Sequence, residues 1–140
     1  MKATIKIILI YLVTSILLSP IRSFGKIGIT ISTIVGFAVY FLLTTIFIKK
    51  GLFKASPIIV LVAGLIGMSI TNLPFHIIHF RDTIFVFVEY IVHFGAVIAG
   101  FYYMRIEKPN NRIIFTIICA IIVLVATFYV NDLVVSAVRK

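Results

Sequence analysis

Apolar residues in this chain fall into five long runs, at about residues 4–20, 27–48, 57–80, 83–104 and 113–130, separated by short polar breaks. A helix needs about 20 apolar residues to cross the hydrocarbon core of a bilayer. The pattern therefore predicts an all-α fold, a polytopic integral membrane bundle with five transmembrane helices and the N-terminus inside. Residues 1–140 form a single domain in this reading. A four-helix version, with the first run lying in the membrane interface, is the alternative.

The breaks carry their own signals. Pro20 ends the first run, and "KKGLFKASP" separates the second from the third. Ser56 and Pro57 are the predicted N-cap and first helical position of the third helix. Asp82 is the predicted cap of the fourth, which leaves a tight hairpin at Arg81–Asp82. "RIEKPNNR", residues 105–112, reads as a hydrophilic loop broken at Pro109. Asn131 and Asp132 interrupt the end of the fifth run, so its last turns are expected at the interface. Lys2 and Lys6 before an apolar core raise the possibility of a signal peptide, but no A-x-A-like site follows in "SPIRSFGKIG", and an uncleaved first helix is expected.

Composition strengthens the membrane reading. The chain is 62% hydrophobic and 12% charged, with mean hydropathy +1.24, whereas a soluble domain is about half apolar and roughly a quarter charged. The net charge of +9 sits in short clusters between apolar runs. It forms no extended basic face, so nucleic acid is not an expected partner. Such clusters set topology and meet anionic headgroups. With the N-terminus inside, eight Lys and Arg fall on that side and five on the other. The expected location is the bacterial cytoplasmic (inner) membrane, with lipid as one partner. Tyr102, Tyr103 and Tyr129 lie near helix ends, where they can supply an aromatic belt in a chain without Trp. The single cysteine, Cys119, lies in an apolar run and reads as a small hydrophobe.

Helices in lipid associate through close approach and polar contacts. Gly28, Ser32 and Gly36 form a stripe at four-residue spacing on the second run. Gly64 and Gly67 lie on the third, near Thr71, and Ala96 and Gly100 on the fourth. These are the candidate packing residues, for the bundle itself or for an oligomer.

Candidate chemistry is concentrated in "NLPFHIIHFRDTIFVFVEYIVHFG", residues 72–95, which holds all three histidines and two of the four acids. On the third helix Ser69, Asn72, His76 and His79 fall within a sector of about 80°. On the fourth, Glu89 and His93 are four apart and share a face with Ala96 and Gly100. An antiparallel hairpin would bring Glu89 level with the Asn72–His76 segment and His93 near Ser69, so the two polar faces could meet. A charge at this depth costs roughly 2.5–3.5 kcal/mol on insertion scales, and Glu89 is expected to be paired, water-lined or protonated. Three roles follow: an interhelical pair fixing helix rotation, a proton or ion pathway through Glu89, His93, His76, His79 and Asn72, or ligation of a metal or haem. The last lacks a second matching motif of the kind that builds di-metal bundles. No metal site or cofactor is expected, and no catalytic residue, since GxSxG, HExxH, paired aspartates and Gly-rich phosphate loops are all missing.

The functional expectation is a non-enzymatic subunit of a homo-oligomer or of a larger membrane assembly. The first alternative is a small proton- or cation-coupled carrier or channel built on Glu89 and the histidines. The second is a membrane redox or metal-binding subunit.

Overall fold

The computed structural model describes the backbone of residues 2–51, 55–78 and 83–138, and the side chains of these residues other than 22, 23, 25, 26, 71–87, 130, 131 and 133–138. Among the described residues the chain is all-helical. Its five α-helices are α1 (Lys2–Leu18), α2 (Gly25–Lys50), α3 (Pro57–Ile78), α4 (Thr83–Tyr103) and α5 (Pro109–Val138), and a 3-10 segment at Ser19–Phe24 joins the first two. Three stretches are long and apolar enough to cross a membrane: Lys2–Ile21, Ile27–Lys50 and Pro109–Tyr129, with hydropathies of 2.0, 2.2 and 2.4. Shorter apolar stretches, Pro57–Ile70 and Val88–Tyr103, come from α3 and α4.

Local chemistry fixes most of the boundaries. The 3-10 segment carries Pro20 and runs straight into α2. Gly28 stands against it, since a Cβ there would overlap the carbonyl oxygen of Ile21 and lie 3.0 Å from Phe24 Cβ. α2 ends at Gly51, whose φ of 52° is the left-handed conformation glycine adopts without strain. Ser56 caps α3: the Ile59 N–H donates to its Oγ at 3.3 Å, and helix begins at Pro57. Asp82 and the Arg81–Asp82 hairpin lie outside the described residues.

One expectation is corrected. Pro109 does not break a loop that ends at 112 but opens α5, because the first helical position needs no N–H and proline presets its φ. The last turns of α5 follow Asn131 and Asp132 and run to Val138. A polar side chain can point outward without disturbing the backbone bonds, and Asp132 is exposed.

α2 packs along α4, and α1 along α3. Their shared core holds Ile7, Tyr11, Tyr40, Val60, Ala63, Met68, Ala96 and Val97. Gly64 and Gly67 admit α1, because a Cβ on Gly67 would lie 2.9 Å from Tyr11 Cβ and one on Gly64 3.0 Å from Tyr11 Cζ. Gly100 admits α2, with Thr44 Cβ 2.8 Å from where its own Cβ would be. α5 stands at the edge: 11% of its apolar stretch is buried, against 39% in α2.

Hydroxyl groups stitch the inner helices together. Thr44 commits its proton to the carbonyl of Tyr40, so the Tyr11 hydroxyl donates to Thr44 Oγ1, at 2.5 Å, linking α1 to α2. By the same logic Ser69 donates to Leu65 O and receives the Tyr90 hydroxyl at 3.0 Å, linking α3 to α4.

Candidate functional site

α2 and α4 face each other along two matched rows. On α2 the row Ser32, Gly36, Tyr40 and Thr44 repeats every four residues, and all four are buried. On α4 the facing row is Glu89, His93, Ala96 and Gly100, also buried. Glu89 keeps 1% of its surface exposed and His93 none.

Ser32 is the hub. Serine and threonine inside a helix commonly bond their own backbone one turn back, as Thr14, Thr33, Thr44, Ser69 and Thr116 do here. Ser32 instead sends its hydroxyl proton across to α4, to Glu89 Oε1 at 2.5 Å. The Ser32 carbonyl lies 3.1 Å from His93 Nε2. A carbonyl can only accept, so Nε2 carries a proton and donates it. The carboxylate and the imidazole are themselves 3.9 Å apart, Oε1 to Nε2, too far for a hydrogen bond and close enough for a charge interaction. One residue of α2 thus engages both groups of α4.

Gly36 makes the space. A Cβ there would overlap Nε2 and Cε1 of His93 and fall 2.8 Å from its Cδ2. One turn on, the Tyr40 ring covers the imidazole at 5.1 Å between centroids, tilted by 57°. Tyr40 in turn lies nearly parallel to Tyr11, 5.9 Å away. A buried polar column therefore runs from Glu89 through Ser32, His93 and Tyr40 to Tyr11 and Thr44. On α2 it runs from Ser32 to Thr44, thirteen residues and twelve steps, about 18 Å at 1.5 Å per residue.

Glu89 and His93 of α4 thus meet Ser32 of α2, a contact that the antiparallel-hairpin argument did not foresee. Ser69, expected beside His93, meets Tyr90 instead. Glu89, His93, Ser32 and Gly36 come together. The side chains of Asn72 and His76, and the whole of His79, lie outside the described residues. Tyr11, Tyr40 and Thr44 escaped sequence reasoning, although Tyr40 and Thr44 continue the Gly28–Ser32–Gly36 spacing by two further turns.

The chemistry available is that of one carboxylate, one imidazole and several hydroxyls in a buried interior. These can hold and pass a proton, and an ionised Glu89 can neutralise a small cation. Among the described residues no three His, Cys, Asp or Glu side chains group as a metal site. Two apolar clefts beside α5 are lined by residues other than Glu89, Ser32 and His93. Comparison of the chain with known protein families, with curated proteins and with solved structures finds no match.

Proposed function

We propose that this chain is a five-span protein of the bacterial cytoplasmic membrane, N-terminus inside, that carries protons or a small cation through the Glu89–Ser32–His93 cluster. The observation behind this reading is the burial of Glu89 between α2 and α4. Elsewhere the bundle joins its helices with neutral hydroxyls, Tyr11 to Thr44 and Tyr90 to Ser69. A carboxyl group at the same depth costs roughly 2.5–3.5 kcal/mol more to insert. Keeping one where a hydroxyl would join the helices equally well argues that its ionisation is used. The protonated Nε2 of His93, 3.9 Å from Oε1, offsets the charge left when a proton leaves Glu89, and the Tyr40 ring on α2 lies against the same imidazole.

Five spans agree with helix length: α3 has 22 residues and α4 has 21, each about 30 Å at 1.5 Å per residue. Against an interfacial first helix stand Ile7 and Tyr11, fully buried against the bundle.

The test is proton flux in proteoliposomes under an imposed pH gradient. Wild type should dissipate the gradient and Glu89→Gln should not, while Glu89→Asp keeps part of the activity. Undiminished flux through Glu89→Gln would remove the proposal.

A second reading, a non-enzymatic subunit of a homo- or hetero-oligomeric membrane assembly, is favoured by α5, whose outer face leaves Ile114, Ile118, Ile121 and Val125 about half exposed. Native mass measurement in lipid nanodiscs distinguishes a lone chain from an assembly.

A further inference from the structure

The corner where α4 turns into α5 brings two arginines onto aromatic faces. The Arg105 guanidinium lies 4.4 Å from the centroid of the Phe101 ring, and that of Arg112 lies 5.4 Å from the centroid of Tyr103. Arg112 Nε–H also donates to Ile106 O at 2.7 Å, which leaves four of its five donors uncommitted there. Among the described residues no carboxylate lies within ion-pairing distance of either arginine, and the nearby Glu107 is exposed. Lys108 is exposed on the same turn. The cluster is ordered, cationic and unneutralised.

Directly along α5 from Arg112 a cleft of about 400 Å³ opens between α2 and α5. It begins at Thr116, one turn away, and ends at Leu124, a span of about 12 Å at 1.5 Å per residue. Tyr103 connects the two features, because its ring meets the edge of Phe41 at 5.3 Å and Phe41 lines the cleft. A smaller cleft of about 280 Å³ on the other side of α5 shares Phe37, Cys119 and Val123 with it.

We propose that this corner binds an anionic phospholipid, the headgroup phosphate on Arg105 and Arg112 and an acyl chain in the α2–α5 cleft. Guanidinium groups bind phosphate oxygens in pairs, and basic sites between membrane helices take anionic headgroups. The two arginines at its mouth favour a lipid over a transmembrane helix, whose backbone bonds are satisfied internally and which brings no phosphate to them. Leu42 and Leu124 border the cleft, 54% and 46% exposed, beside the smaller Ala38 and Ala120. A flexible acyl chain passes between such side chains.

The inference rests on the membrane location proposed above and is independent of Glu89. Retention of the chain in alkali-washed membranes tests the location first, and release into the supernatant would overturn both. The lipid test uses the full chain in nanodiscs of equal phosphatidylglycerol and phosphatidylcholine, with retained lipid read by native mass spectrometry. Wild type should retain phosphatidylglycerol in preference by about fivefold or more, the bias one basic residue gives near an anionic surface. Arg105→Gln/Arg112→Gln should bring the ratio close to one with the amount of bound lipid little changed. Ala120→Phe, which fills the cleft, should lower the amount bound and leave the helical circular-dichroism signal unaltered, a check that the variant is folded. Excess glycerol phosphate, a headgroup without chains, should displace nothing. Equal retention of both lipids by wild type, a preference that survives the double arginine substitution, or displacement by glycerol phosphate would each overturn the proposal.

Discussion

Ser32 shows how one small side chain can organise two larger polar ones. Its hydroxyl proton goes to Glu89 and its carbonyl receives His93, so both bonds depend on the same turn of α2. Interhelical hydrogen bonds in membranes average about 0.6 kcal/mol, but one to a charged partner is worth about 1.5–3 kcal/mol in proteins generally. Ser32→Ala should therefore destabilise the bundle by about 1–2 kcal/mol, read from unfolding in mixed detergent micelles. The loss should shrink when Glu89→Gln is already present, because the amide no longer brings a full charge to the contact. Equal losses in both backgrounds would mean that Glu89 gains nothing from Ser32. The shared face of Glu89 and His93 was legible in the sequence, since four-residue spacing on a helix fixes it. The partner was not. Periodicity says which residues line a face and is silent on which helix that face meets, so Ser32 on α2 was not foreseen as a partner of Glu89 and His93.

At the scale of the element, Gly36 on α2 and Gly95 on α4 should respond oppositely to the same change. A methyl at Gly36 collides with the His93 ring, whereas one at Gly95 meets nothing within 4 Å. Overpacking typically costs about 1–3 kcal/mol, and replacing glycine by alanine in an open helical site returns up to about 1 kcal/mol. Gly36→Ala should thus lower resistance to unfolding and displace the imidazole, while Gly95→Ala should leave it equal or higher. Helix positions were largely readable because long apolar runs and a Ser-Pro start leave little choice. The error at Pro109 has a plain cause. A residue that breaks helix in the middle of a segment is favoured at its first position, and composition alone does not distinguish these cases. The small-residue stripe on α2 was visible too, but its members serve different neighbours: Gly28 the 3-10 turn, Ser32 and Gly36 the polar groups of α4.

For the molecule as a whole, the five spans proposed above would put Lys50 and Lys108 on the side of the N-terminus, and residues of the α1–α2 turn on the other. Cysteines introduced singly at positions 50, 108 and 24, in a background with Cys119→Ala, should label accordingly with a membrane-impermeant maleimide in sealed, oriented vesicles. Labelling of positions 24 and 50 from the same face would contradict a spanning α2.

The notch at Gly36 has a mechanical consequence. With an imidazole seated like a dowel where α2 lacks a side chain, α2 and α4 cannot slip past each other by a turn without withdrawing it, so they move as one body. α1 and α3, similarly mated through Gly64 and Gly67, make the other. If the chain is the carrier proposed above, water does not reach Glu89 by sliding of α2 along α4, and parting of that pair from α1 and α3 would have to break the Tyr11–Thr44 and Tyr90–Ser69 bonds.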